Sequence, residues 1–241
     1  MITAHTDVVG SLLRPVALRK ARCDWVAGRL SHAQFKFIED RAVDEAVSLQ
    51  ESVGLDIVTD GEMRRLSFQS QMTEAVDGFG TWDINAFLWG HWHGDGSVGE
   101  RRRDCPVDLG VVSRLVRKRH LAAEEFVYLR GRTSRVAKVS LPSPSLFVNF
   151  WRPERSQSAY ASLEHFLADV VGILRDEVAE LVRLGATYIQ IDAPHYPLLL
   201  AHETRASRDR ARQRRHGGIF RHDLRHPSLS RQPRGPLACR G

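Results

Sequence analysis

Residues 54–65 read GLDIVTDGEMRR, and residues 184–196 read LGATYIQIDAPHY. Each stretch leaves a helical pattern on a glycine, runs through a short apolar, β-branched segment and finishes on an aspartate, Asp60 or Asp192. The residues before each stretch explain the pattern. In SHAQFKFIEDRAVDEAVSLQESVG, Ser31 is followed three residues later by Gln34, the reciprocal pairing that satisfies free N–H groups at a helix start. Phe35, Ile38, Ala42, Val43, Ala46, Val47 and Val53 recur at helical spacing, and Gly54 stands where a left-handed C-terminal residue is wanted. YASLEHFLADVVGILRDEVAELVRLG repeats the scheme with Phe166, Val170, Ile173, Leu174, Val178, Leu181 and Val182, closing on Gly185. Helix, glycine, buried strand and acid form the αβ half of a βαβ unit, and a strand covered on both faces reads as a nearly continuous apolar run.

Two more strands are expected, over residues 4–11 and within RVAKVSLPSPSLFV at 135–148. The sequence therefore predicts an α/β fold with a parallel sheet, whose functional groups gather at the carboxyl ends of the strands. Those ends carry Gly10 and Ser11, Asp60, Gly61 and Glu62, Ser143 and Pro144, and Asp192.

Charge divides the chain. Of 35 basic and 29 acidic residues, 11 arginines and three acids fall in 201–241, leaving 24 and 26 in the first 200, a net of −2. The body is thus no basic surface, and nucleic acid is an unlikely partner. The arginine-rich segment lacks periodicity and has very few large apolar residues, so it is expected to be disordered or the product of a shifted frame. The expected division is a body over 1–200 and a tail over 201–241. No run of 18 apolar residues and no secretory pattern are present, which predicts a soluble, cytoplasmic chain without a membrane partner. Cys23, Cys105 and Cys239 lie far apart, so neither a disulfide framework nor a zinc knuckle is expected.

Each candidate has a plain structural alternative. Asp60 is read equally as the N-cap of a following helix and as a residue of the functional rim. Glu62 has no capping task if Asp60 caps, and Asp192 precedes Ala193 and Pro194, so no helix starts on it directly. Gly10 lets a ligand approach the backbone beside Ser11. Converging acids can bind an ammonium group while Ser11 holds a carboxylate, which would read an amino acid; the same acids could hold a metal or move protons. His91 and His93 in FLWGHWHGDG could face one metal from a strand, although an irregular loop with surface histidines is the commoner meaning of such a stretch. His195 joins Asp60 as a residue of the expected rim.

The motifs DVVGSLLRP (7–15), LQESVGLDIVTDGEMRRLSF (49–68), KVSLPSP (138–144) and YIQIDAP (188–194) together resemble the C-terminal catalytic domain of cobalamin-independent methionine synthase, especially its single-domain, archaeal-type and epoxyalkane:coenzyme M transferase-like relatives. The resemblance implies a (β/α)8 TIM-barrel type of fold, incomplete here at about five βα units of eight. It also implies methyl transfer from a methylated folate to the zinc-activated thiol of homocysteine. Carried onto matching positions, Ser11 contacts the homocysteine carboxylate, Glu62 and Asp192 hold its amino group, and Trp151, or Phe150, falls where the family stacks the folate. The family's zinc ligands, a His-x-Cys, a Glu and a final Cys, belong to strands beyond the fifth, where this sequence has its arginines. LACRG at the end supplies Cys239 but has Leu237 in place of the histidine, so no metal ligand is identified. Ala193 stands where the synthase has an acid. The alternatives that follow are alkyl transfer to another thiol such as coenzyme M, or a truncated barrel without catalysis. Unclosed sheet edges would be covered by an oligomeric partner.

Overall fold

The computed structural model describes residues 6–66, 70–81 and 109–194. Helix α1 (Val16–Val26) leads to α2 (His32–Ser52), whose first turn carries the expected capping box. Gln34 N–H donates to Ser31 Oγ at 3.3 Å, and Ser31 N–H donates to Gln34 Oε1 at 2.9 Å. Phe35, Ala42, Val43, Ala46 and Val47 are buried. Gly54 then takes φ 82°, and the short strand β1 (Ile57–Val58) follows. A second set, α6 (Leu163–Arg183), Gly185 at φ 93° and β5 (Tyr188–Asp192), repeats the arrangement. Val53 and Val182 depart from the expected faces and are exposed. Val53 is the cap beyond the end of α2, and Val182 is turned roughly 100° from the buried Leu181.

Strand β4 (Val136–Pro142) lies between β1 and β5, parallel to both. Ile57 pairs with Val136, and Tyr188 through Asp192 pair with Lys138 through Pro142. The fold is α/β as expected, with one addition that the sequence did not announce. Strands β2 (Val76–Thr81) and β3 (Leu109–Arg117) form an antiparallel pair, preceded by α3 (Ser70–Ala75). Helix α4 (Ala123–Arg130) then enters β4, and a 3-10 helix over Pro144–Phe150 leads to α5 (Pro153–Ser156). The expected strand over 135–148 thus ends at Pro142. A strand over 4–11 is also corrected: residues 6–11 form none. There the carbonyls of Val8 and Val9 are taken by the side chains of Lys138 and Gln190 instead of a neighbouring strand.

Apolar side chains form two groups. One joins α1, α2, β1, α4 and β4 around Leu18, Val43, Val58, Phe126 and Leu141. The other joins the antiparallel pair, the 3-10 helix and α6 around Val111, Phe147, Phe150 and Phe166. Glu177 on α6 ties them together, since its buried carboxylate accepts the N–H groups of Leu121 and Ala122 at 2.8 and 2.7 Å, where α4 begins. Among the described residues no helix is long and apolar enough to cross a membrane. The expectation about the cysteines turns on Cys105 and Cys239, which lie outside the described residues. The tail over 201–241, with Cys239, and the histidines at 91, 93 and 195 lie outside the described residues.

β1 is short because a side chain takes over the work of a ladder partner. Gln50, buried on α2, donates through Nε2 to Thr59 C=O at 2.8 Å and accepts Thr59 N–H at 2.9 Å. Both backbone groups would otherwise be buried without a partner, at about 1–3 kcal/mol each. The Gln50→Leu substitution is therefore expected to lower the unfolding free energy by about 2–4 kcal/mol in urea titration. A loss below about 0.5 kcal/mol would show that Thr59 finds other partners.

Candidate functional site

At the end of β1 the chain makes a turn held from within. Gly61 N–H donates to Thr59 Oγ1 at 3.0 Å, and Glu62 N–H donates to Asp60 Oδ1 at 2.9 Å. Gly61 and Glu62 both have positive φ, 66° and 56°. For glycine this is a free choice, whereas a side-chain-bearing residue there costs on the order of 1–3 kcal/mol unless its surroundings impose it. Here the N-terminal segment imposes it from the other side. Leu12 N–H donates to Gly61 C=O at 3.1 Å, and Arg14 Nη2 to Glu62 C=O at 3.0 Å. No helix begins at Asp60, so it caps a turn rather than a helix; its Oδ2 is buried without a partner among the described residues.

The strained backbone turns the Glu62 carboxylate inward, where it is 4 % exposed. Ser11 Oγ donates to Oε2. Ser140 Oγ, from β4, donates to Oε1 at 3.0 Å, and Arg65 Nη1 lies 3.3 Å from the same oxygen. Arg65 continues the network: it donates to Ser140 Oγ at 2.9 Å and Ser140 C=O at 3.1 Å, and grips Glu125 of α4 through Nε and Nη2 at 3.1 and 2.9 Å. Burial alone would lower the Arg65 pKa, but Glu125, Asp60 and Glu62 outweigh it and hold the guanidinium above its ordinary value. Burial pushes Glu125 up to about 7, against the pull of Arg65.

Asp192, half-buried at the end of β5, completes the group. Burial raises its carboxyl above the usual carboxylate range; Gln190, which donates to its Oδ1, opposes the rise, and the charge of Glu62 adds to it. Ser11, Glu62 and Asp192 therefore share one neighbourhood, the first two in direct contact and the third in the electrostatic field of the second. Gly10 and Ser11 reach this place because β4 and β5 tether the segment before them. Lys138 Nζ donates to Asp7 Oδ2 at 2.7 Å and to Val8 C=O, while Gln190 bridges Lys138 at 2.9 Å and Val9 C=O at 2.9 Å.

Trp151 belongs elsewhere. It ends the 3-10 helix, packs half-buried against the second apolar group and donates Nε1–H to Tyr160 C=O at 3.2 Å. Phe150 is wholly buried, edge-on to Phe79 at 5.7 Å, and so offers no face to a ligand. For zinc, no group of three or more His, Cys, Asp or Glu side chains among the described residues is arranged to hold a metal ion. Of the carboxylates near one another, Glu62 and Glu125 are engaged by Arg65 and hydroxyls and Asp192 by Gln190, and no thiol or imidazole joins them, so these residues do not fit a zinc centre.

Sequence reasoning overlooked Arg65, Glu125, Ser140, Lys138 and Gln190. Lys138 and Gln190 left a signal, since a polar residue midway along an otherwise apolar buried strand must have a partner. Arg65 and Glu125 left none, being 60 positions apart.

The raised Glu125 pKa has a definite sign for stability. The folded chain keeps a proton that an unfolded glutamate releases near pH 4.3, so the contribution is complete below that pH and is lost as pH rises to about 7. Denaturation between pH 4.5 and 7.5 should show the parent losing on the order of 3 kcal/mol relative to the Glu125→Gln variant, which cannot release that proton. Parallel profiles for the two proteins would place the Glu125 titration outside this window.

A family model described as the catalytic domain of cobalamin-independent synthase matches residues 2–214. The uncharacterized protein YxjH of Bacillus subtilis is 26% identical over 195 residues, covering 80% of this chain and 49% of that protein. The 5-methyltetrahydropteroyltriglutamate–homocysteine methyltransferase of Mesorhizobium japonicum is 30% identical over 189 residues, 78% of this chain and 22% of that enzyme. The chain thus spans about half of the first relative and less than a quarter of the second. Among solved structures, a B12-independent methionine synthase from Shewanella, in complex with selenomethionine, superposes with a TM-score of 0.61 at 23% identity, over 78% of this chain and 51% of that one. This likeness shows the fold alone. Matched to the family model over nearly its whole described length, the chain belongs to the cobalamin-independent synthase catalytic-domain family.

Proposed function

We propose that the chain serves methyl transfer to homocysteine, with a methylated folate as donor, and that Ser11, Glu62 and Asp192 form the seat of the amino-acid substrate. The observation that carries this reading is the buried Glu62 carboxylate joined to Ser11 Oγ, with Asp192 in its field. A zwitterion needs an acid for its ammonium group and a donor for its carboxylate, and both stand here side by side. In the free chain they satisfy each other. On binding, the ligand ammonium takes the Glu62 oxygen that Ser11 occupies, and the released hydroxyl turns to the ligand carboxylate. One neutral–charged hydrogen bond is exchanged for two charge-assisted ones. Asp192, raised above the usual carboxylate range by burial, would be drawn back toward it by an approaching ammonium.

The methyl-transfer reading also draws on the family and on relatives whose names specify this reaction. Zinc belongs to the proposal only through the family; no ligand set for it stands among the described residues, and no step is drawn through it. Trp151 as a folate-stacking residue would require its ring to be presented beyond the second apolar group. We also propose that the described sheet is part of an incomplete (β/α)8 barrel, acting in the cytoplasm. The support is β5, which has one neighbour among the described strands and leaves Ile191 50% exposed, as if awaiting a covering layer from further chain or an oligomeric partner.

Calorimetric titration of the full chain with L-homocysteine tests the seat. Binding is expected, with Ser11→Ala and Glu62→Gln each weakening it by about tenfold or more, equivalent to about 1.4 kcal/mol. No heat from the parent at millimolar ligand would remove the amino-acid reading. Binding without transfer from 5-methyltetrahydropteroyltriglutamate would leave a substrate-binding chain that does not catalyse.

A further inference from the structure

We propose that Asp60 is the positioning residue of this site: it holds Glu62 in the left-handed conformation that aims its carboxylate at Ser11 and Ser140, and thereby sets the affinity for the ligand's ammonium group. The inference rests on the amino-acid reading above and assigns a residue that reading does not use.

Asp60 precedes Glu62 by two residues, the distance at which an aspartate side chain closes a turn on its own backbone. Its Oδ1 accepts the Glu62 N–H at 2.9 Å, and Asp60 itself is 6% exposed. That N–H would otherwise be a buried donor without an acceptor. Glu62, at φ 56°, is the only described residue other than glycine with positive φ, so its conformation must be imposed. The Leu12 and Arg14 bonds hold the outer rim of the turn through carbonyl oxygens, and neither reaches the Glu62 N–H. Without the Asp60 oxygen nothing holds the Glu62 N–H, and only the carbonyl bonds from Leu12 and Arg14 and the partners of the carboxylate itself oppose a return to negative φ. A rotation at φ swings the side chain about the backbone and carries the carboxylate away from Ser11 on one side and Ser140 on the other.

The second oxygen separates acceptor from charge. Oδ2 has no partner among the described residues, so replacing it with an amide nitrogen forfeits no described hydrogen bond, while Oδ1 remains an acceptor. Asp60→Asn therefore keeps the hold on Glu62, and Asp60→Ala removes it. Val58 and Met63, on either side of the turn, belong to the first apolar group.

The full chain and both variants would be compared by amide hydrogen exchange at Glu62, by homocysteine calorimetry and by thermal melting. In D60A the Glu62 amide is expected to exchange about a hundredfold faster, and homocysteine affinity to fall about tenfold, with the melting point within about 4 °C of the parent. D60N should keep both protection and affinity within about threefold. Unchanged exchange or unchanged affinity in D60A overturns the proposal, as does a D60N that falls as far as D60A, since charge rather than the acceptor would then be at work. Should D60A fail to fold, D60N decides alone: retained protection and affinity support the acceptor role, and loss of either overturns it. A parent that binds no homocysteine sinks the functional reading, and exchange at Glu62 then judges the hold of Asp60 by itself.

Discussion

A single buried guanidinium joins the parts of this fold that matter to its site. Arg65 follows the turn after β1, yet its five N–H groups reach the carboxylate of Glu62 on its own turn, both oxygens of Ser140 on β4 and the carboxylate of Glu125 on α4. Enclosing such a charge is costly, several kcal/mol for an isolated ion, and becomes tolerable only with near-complete pairing. The planar fork of arginine supplies that pairing in several directions, which a lysine at the same place could not. The arrangement locks geometry more than it adds stability. Glu62 and Glu125, on separate elements, both close onto this one cation, so the turn, the strand and the helix are held in their relative places.

The same logic of buried polar groups answered by distant partners brings the N-terminal segment to the site. Lys138 and Gln190 point from adjacent strands and take up Asp7 and the carbonyls of Val8 and Val9. A parallel strand in this position would have satisfied those carbonyls by its own ladder, with its side chains fixed by the pleat. Tethering by side chains leaves residues 10–14 free to bend toward the β1 turn, and Leu12 and Arg14 close onto Gly61 and Glu62. Ser11 therefore meets Glu62 because two strands hold the segment on one side and a strained turn receives it on the other.

What could be read from the sequence was what is decided locally. The capping box at Ser31 and Gln34, the left-handed glycines at 54 and 185 and the apolar faces of α2 and α6 all depend on neighbours within a few residues, and the structure reproduces them. Ser11, Glu62 and Asp192 were assigned to one rim by their place at expected strand ends, and the structure sets Ser11 against Glu62 although the expected first strand is absent, because side chains from β4 and β5 tether the segment in place of a ladder. The antiparallel pair escaped notice: VDGFGT carries two glycines that look like a turn, and its partner strand is separated from it by 27 residues. Tyr160, which donates to Asp169 and accepts Leu115 N–H from β3, ties that pair to α6 through a contact no periodicity announces.

A saturated site limits how a ligand can bind. In the free chain Glu62 already receives Ser11, Ser140 and Arg65, so an arriving ammonium group finds no idle acceptor and gains only the difference between the bonds it makes and those it displaces. A net hydrogen bond to a charged group is worth about 1.5–3 kcal/mol, and an exchange of partners yields less than that. Affinity for the amino-acid portion alone should therefore be modest. Selectivity need not be, because a ligand lacking the ammonium has no cation to offer in place of the Ser11 bond, while one lacking the carboxylate leaves the released hydroxyl without a partner. On the proposed reading, the Ser11–Glu62 contact thus demands both charged ends of the molecule that displaces it.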